Sequence, residues 1–228
     1  MDEAKLVKPA PAKAFRHLPW LLGIALFVAM TALLWNVAED IIDHEVLASA
    51  DPRLSYWLHA HGSSSLTTTM LIVTFFGSTI GVSLIAIPFG VYLIAKRRFF
   101  WLLTLVASVL GGAGLNRLLK YIFHRPRPQF DDPILKLTSY SFPSGHTMMA
   151  TVLYGVIAAY FFTNIREPWL RFLVIASAGL LILLVGFSRI YLGAHYLSDV
   201  IAALAEGLAW LSLSLTIRYS ISTPDKRS

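Results

Sequence analysis

Cysteine is missing altogether from the 228 residues. A disulfide frame, a thiolate metal site and a thiol nucleophile are therefore excluded, and cysteine usage says nothing about redox compartment. Charge is scarce as well, at 14% of residues against 56% hydrophobic. That is far more apolar side chain than one soluble core of this size buries, so a bilayer is the expected solvent. The chain also lacks an internal repeat, a low-complexity tract and an interdomain linker, which leaves one domain as the economical reading.

What the sequence does hold is a series of nearly uncharged runs at 18–37, 80–95, 99–116, 147–163, 169–187 and 200–217. Each approaches the roughly 20 residues that cross a hydrocarbon layer as a helix. The expected fold is thus all-α, a polytopic membrane protein built as a six-transmembrane-helix bundle. The apolar stretch 66–79 is too much to add to the second run as one straight span. It is expected as an additional short interfacial helix ended near Gly77, the alternative being a second span that starts earlier and tilts. The first run follows a basic segment and has no small-x-small cleavage pattern after it, so it is read as retained. The expected division is a cytoplasmic basic segment 1–17, a membrane domain 18–217 and a cytoplasmic tail 218–228.

Lysine and arginine orient the bundle, because short loops rich in them stay cytoplasmic. With both termini inside, the inner segments hold twelve of the 19 Lys and Arg residues. Most of the exceptions crowd into two stretches, "RLLKYIFHRPRP" and "SRIYLGAH", which puts a basic cluster on the outer side where topology alone disfavours it.

A third stretch on that side, "FPSGHTMM" (142–149), opens the fourth span. A helix start leaves N–H groups without intrahelical partners, and little water is available beside a bilayer to satisfy them. Pro143 suits a first helical position, Ser144 adds a hydroxyl, and Gly145 lets a ligand approach the backbone without meeting a Cβ. Together with the positive end of the helix dipole this makes an anion cradle. An ordinary capped helix with a surface histidine is the competing reading. Lys120 and Arg127 belong to a proline-fixed loop that, taken alone, reads equally as a headgroup-binding basic segment. His195 and Asp199 are four residues apart, which on a helix stacks them on one face, with the carboxylate on Nδ1 and Nε2 left free. A charge pair at the mouth of a membrane helix is costly enough to mark a functional site.

In order and spacing, "KYIFHRPRP", "PSGH" and "SRIYLGAHYLSD" resemble the signature of the type-2 phosphatidic acid phosphatase superfamily, and the membrane spans resemble its lipid-phosphatase branch. The resemblance runs from Lys120 to Asp199 with no departure at a defining position. It implies that Lys120, Arg127, Ser144, Gly145 and Arg189 bind phosphate. It further implies that His195 is a nucleophile forming a phosphohistidine, that Asp199 holds its tautomer, and that His146 protonates the leaving alkoxide and then activates water. Neither a metal nor a cofactor is implied, and no nucleic-acid partner. The implied substrate is a lipid phosphate or diphosphate in the membrane, with phosphatidic acid, phosphatidylglycerophosphate and undecaprenyl diphosphate as candidates. With the Lys and Arg bias placing both termini inside, the site is expected on the outer, periplasmic face of a bacterial inner membrane. A lipid phosphotransferase and a transporter of phosphorylated lipid are the rivals. His44, His59 and His61 are expected as polar loop residues, His124 as a neighbour of the site, and Glu206 as a structural acid pairing with a cation inside the bundle.

Overall fold

The computed structural model describes residues 18–43 and 45–222. The basic segment 1–17, His44 and the tail from 223 lie outside the described residues, and with them the expectations made for those positions. Among the described residues there is no strand. The elements are α1 (Leu18–Asp43), α2 (Val46–Ala60), α3 (Ser64–Phe75), α4 (Thr79–Ala95), α5 (Phe99–Val106), a π-helical turn (Ala107–Gly111), α6 (Gly112–Phe123), α7 (Gly145–Asn164), α8 (Pro168–Tyr191) and α9 (Leu197–Ser222). α5, the π turn and α6 form one continuous span. Five helices are long and apolar enough to cross a membrane, and the α3–α4 pair, bent by 45°, makes a sixth when counted as one span.

Two helices run further than their apolar runs, one at each end of the bundle. The third span passes its expected limit at 116 and continues to Phe123. Its polar end is tolerated because Lys120 donates to the carbonyls of Tyr140 (2.8 Å) and Ser141 (3.2 Å). α9 likewise continues through Arg218 to Ser222. There the guanidinium lies over the Trp101 ring at 3.6 Å, an aromatic face that accepts the cation.

Segment 66–79 divides where expected. Ser63 caps α3 through Leu66 N–H and Ser78 caps α4 through Gly81 N–H, so two N-caps with a short break between them end one helix and start the next. α3 packs along α8, burying Met70 and Thr74. The helix that sequence reasoning missed is α2, which lies against α8 and α9. Asp40 at the end of α1 accepts the Leu47 and Ala48 N–H groups (3.2 and 2.9 Å), and so starts α2 right after the first span. His59 therefore stands in a helix rather than a loop, with His61 as its C-cap.

α7 is the central helix. Ala150, Leu153, Val156 and Tyr160 are buried against Val82, Leu93, Trp101, Leu105, Val185 and Leu211 from the surrounding helices. Trp101 meets Tyr160 edge to face at 5.3 Å. Lipid is as apolar as these side chains, so close packing rather than water exclusion holds the interior together. Large apolar residues such as Leu84, Ile87, Leu110, Phe172 and Leu183 stay on the outside, as a bilayer requires.

Candidate active site

The loop between α6 and α7 is fixed by its own cations. Pro126 and Pro128 restrict the backbone on either side of Arg127. The Arg127 guanidinium donates to the Ser139 carbonyl (2.6 Å), the Ser139 hydroxyl (2.9 Å), the Tyr140 carbonyl (3.2 Å) and the Ala194 carbonyl. Lys120 holds the same segment from α6. Phe142, fully buried, pins the segment's end against Phe123 at 4.8 Å. Chain 139–142 is thereby laid beside the start of α7 and the turn before α9.

That turn carries His195. Gly193 takes a left-handed φ of +66° and its Cα faces the Phe130 ring, a conformation a side chain opposes. His195 is 2% exposed. Its Nδ1 lies 3.4 Å from Asp199 Oδ2, and its Nε2 lies 3.1 Å from Arg127 Nη1. A guanidinium has only donors, so Nε2 is the acceptor and the proton sits on Nδ1, facing the carboxylate. Burial first, and the Arg127 and Arg189 charges after it, push the imidazole down to about 3 from an ordinary 6.5, so the ring is neutral at rest.

Asp199 is held from all sides. It accepts Arg125 Nη1 at 2.6 Å, the Tyr196 N–H at 2.9 Å and the Ser141 hydroxyl. Burial works against the Arg125 charge, yet Asp199 and Asp51 outweigh it and raise the group above its ordinary value. Ser144 is the N-cap of α7 and fully buried. Its N–H donates to the Asp199 carbonyl (3.1 Å) and its hydroxyl accepts from Thr147 (3.0 Å).

Lys120, Arg127, Gly145, His146, Arg189 and His195 line one cavity of about 400 Å³. Six of the eight residues picked from the sequence thus meet there. Ser144 and Asp199 stand behind it, Ser144 at the start of α7 and Asp199 behind His195. Arg189 is 3% exposed; its Nη1 donates to Thr74 Oγ1 at 2.8 Å, and its Nε has no partner among the described residues. The structure adds residues that motif spacing did not point to: Ser141, Arg125 and Asp51 around Asp199, Thr74 on Arg189, and Asn116 on the cavity wall. Asn116 Nδ2 donates to Glu206 Oε2 at 2.8 Å, so Glu206 is paired with an amide and not with the expected cation. A Cβ on Gly145 would stand 3.3 Å from Asn116 Oδ1, tight enough to narrow the cradle. His124 caps α6 in a left-handed conformation and packs its ring on Tyr140 at 4.5 Å, away from the cavity lining. Among the described residues, no group of three or more His, Asp or Glu is placed to hold a metal ion.

A second space of about 390 Å³ adjoins the first and shares Val82, Ser83, Val109 and Leu110 with it. It runs between α4 and α5 to Ile94 and Leu102, and apart from Ser83 and Gly90 its lining is apolar.

The chain is 37% identical over 136 residues to phosphatidylglycerophosphatase B of Bacillus subtilis, a match spanning 57% of this chain and 66% of that protein. It is 32% identical over 140 residues to an undecaprenyl-diphosphatase of Sulfolobus acidocaldarius, spanning 59% of this chain and 63% of that one. The crystal structure of a transmembrane PAP2-type phosphatidylglycerolphosphate phosphatase from Bacillus subtilis superposes with a TM-score of 0.70 at 28% identity. That superposition covers 90% of this chain and 98% of the other. Residues 101–221 match the PAP2 superfamily, and these contain every residue that lines the polar end of the cavity from α6 to α9; the chain belongs to that superfamily.

Proposed function

We propose that this protein removes phosphate from a membrane lipid phosphate or diphosphate, through a phosphohistidine on His195 and without a metal. The observation that carries the reading is the junction of two spaces. A cation-lined chamber with a buried imidazole lies against an apolar groove between helices, with Val82, Ser83, Val109 and Leu110 lining both. The chamber fits a phosphate and the groove fits a hydrocarbon tail, so one molecule bearing both groups occupies them together.

The chemistry follows from the contacts. Phosphoryl transfer spreads charge over three equatorial oxygens, which donors must neutralise while the attacking and leaving atoms stay in line. Arg189 offers an unpartnered Nε–H, and a phosphate oxygen satisfies it. Arg127 covers His195 Nε2 at rest, and an arriving anion draws the guanidinium to itself and uncovers the lone pair. His195 Nε2 then bonds to phosphorus while the phosphorus–oxygen bond to the lipid breaks, and His146, which takes up a proton as the phosphate anion binds, gives it to the leaving oxygen. The imidazolium formed keeps its Nδ1 proton toward Asp199, whose negative charge stabilises it. His146, now neutral, takes a proton from water as that oxygen attacks phosphorus. The phosphorus–nitrogen bond breaks, and inorganic phosphate leaves.

The Lys and Arg bias supports cytoplasmic termini and a periplasmic site in a bacterial inner membrane. Phosphatidic acid, phosphatidylglycerophosphate and undecaprenyl diphosphate are the candidate substrates. The test is a panel of these three with detergent-solubilised full-length protein and a chelator present, read as inorganic phosphate. Chelator-insensitive release from at least one is expected. Release that requires added divalent ion, or none from any lipid beside release from a water-soluble ester, contradicts the proposal.

A further inference from the structure

Resting on the phosphohistidine reading above, we infer that Asp51, on α2 and outside the family-matched residues, is a positioning residue for the His195–Asp199 pair and acts through Arg125. Asp51 is 2% exposed, an unusual place for an acid with no part in the motifs. Its Oδ2 accepts Arg125 Nη2 at 2.8 Å and the Ser198 hydroxyl, and its Oδ1 accepts the Ser198 N–H at 3.1 Å. Arg125 Nη1 reaches the Ser198 hydroxyl at 2.7 Å and Asp199 Oδ1 at 2.6 Å. The Tyr196 ring covers the guanidinium at 4.6 Å. A continuous line thus leads from α2 to the imidazole: Asp51, Arg125, Asp199, His195.

The arrangement has an electrostatic purpose as well as a steric one. One guanidinium between two carboxylates leaves the cluster with a net negative charge. That charge faces the imidazole, which turns positive when Nε2 takes the phosphoryl group. Without Asp51 the guanidinium neutralises Asp199 alone, and its Nη2 is left buried without an acceptor. Asp199 then stabilises the imidazolium less, so the loss falls on the chemical step and not on substrate binding. Asp51 also caps α9 through Ser198, and a purely capping role is separated from this one by a double-mutant cycle.

Full-length wild type, Asp51→Asn, Asp51→Glu, Arg125→Gln and the Asp51→Asn/Arg125→Gln pair are assayed on dioleoyl phosphatidic acid in detergent micelles, with His195→Ala beside them. Asp51→Asn is expected to lower kcat by roughly 10- to 100-fold, by analogy with the loss of a partner behind a metal-ligating histidine, with KM little changed. Asp51→Glu should lie between it and wild type. In the Arg125→Gln background, Asp51→Asn should bring no further loss, because its route to His195 is already cut. Wild-type kcat in Asp51→Asn, or an equal loss in both backgrounds, overturns the inference. If Asp51→Asn does not fold, Asp51→Glu decides: wild-type kcat is then the contradicting result, and lowered kcat at unchanged KM the supporting one. Acid-labile phosphate persisting on His195→Ala shows instead that the nucleophile is elsewhere, and removes the group Asp51 is inferred to serve.

Discussion

Arg189 is where binding and stability pull in opposite directions. Its guanidinium is buried, donates to Thr74, and leaves Nε without a partner among the described residues. A buried donor left unsatisfied costs about 1–3 kcal/mol. Arg189→Met removes that donor and the charge while keeping an unbranched side chain; against this, Thr74 loses a partner worth about 1 kcal/mol. The folded protein should come out level or slightly more stable. The phosphate complex loses the charge-assisted hydrogen bond from Nε, at about 1.5–3 kcal/mol. At 1.36 kcal/mol per decade that is a fall in kcat/KM of roughly tenfold to a hundredfold. Phosphate release and thermal unfolding of the detergent-solubilised variant measure both sides. Orthovanadate should raise the melting midpoint of wild type and not of Arg189→Met. A Met variant that unfolds many degrees earlier and keeps kcat/KM within a few-fold refutes the reasoning, because Arg189 would then be a structural cation.

Three further outcomes follow from other parts of the molecule. His195 is held near 3, below its ordinary 6.5, so the unfolded chain binds the proton that the folded one refuses. This contribution is complete above pH 6.5 and drains away as pH falls toward 3, at about 1.4 kcal/mol per pH unit. His195→Gln should flatten the acid side of the stability curve, and an unchanged slope contradicts that. Leu110→Trp should obstruct the junction of chamber and groove, raising KM for dioleoyl phosphatidic acid but not for p-nitrophenyl phosphate; equal effects on both remove the tail from the groove. Gly193→Ala forces a side chain into the left-handed region beside Phe130. It should destabilise by about 1–2 kcal/mol in a denaturation experiment, and a neutral result refutes the strain.

The spans and the start of the fourth span's helix beside Ser144 were legible because each is local. Apolar length marks a span, and Pro143 through His146 are consecutive on the chain. The ends of helices were harder. Hydropathy stops the third span at 116, but Lys120 continues the helix because loop carbonyls from Tyr140 and Ser141 satisfy it, and those partners are distant in sequence. Asp51 was invisible for the same reason. It lies in "ADPRLSYW", with no motif around it, and its partners Arg125 and Ser198 are brought to it only by the fold. Thr74 looks like one more residue of an apolar run until α3 is laid on α8. Glu206 illustrates the reverse case: its spacing from Asp199 suggested a cation partner, whereas the nearest group on α6 turned out to be the Asn116 amide.

The most direct measurement of the central claim is rapid acid-free quenching of the full-length protein with radiolabelled p-nitrophenyl phosphate, whose leaving group departs without help from a general acid, followed by mapping of the labelled peptide. The account expects acid-labile label on His195, more of it in His146→Ala because hydrolysis of the intermediate slows, and none in His195→Ala. Label on another residue, or full turnover by His195→Ala, would contradict it.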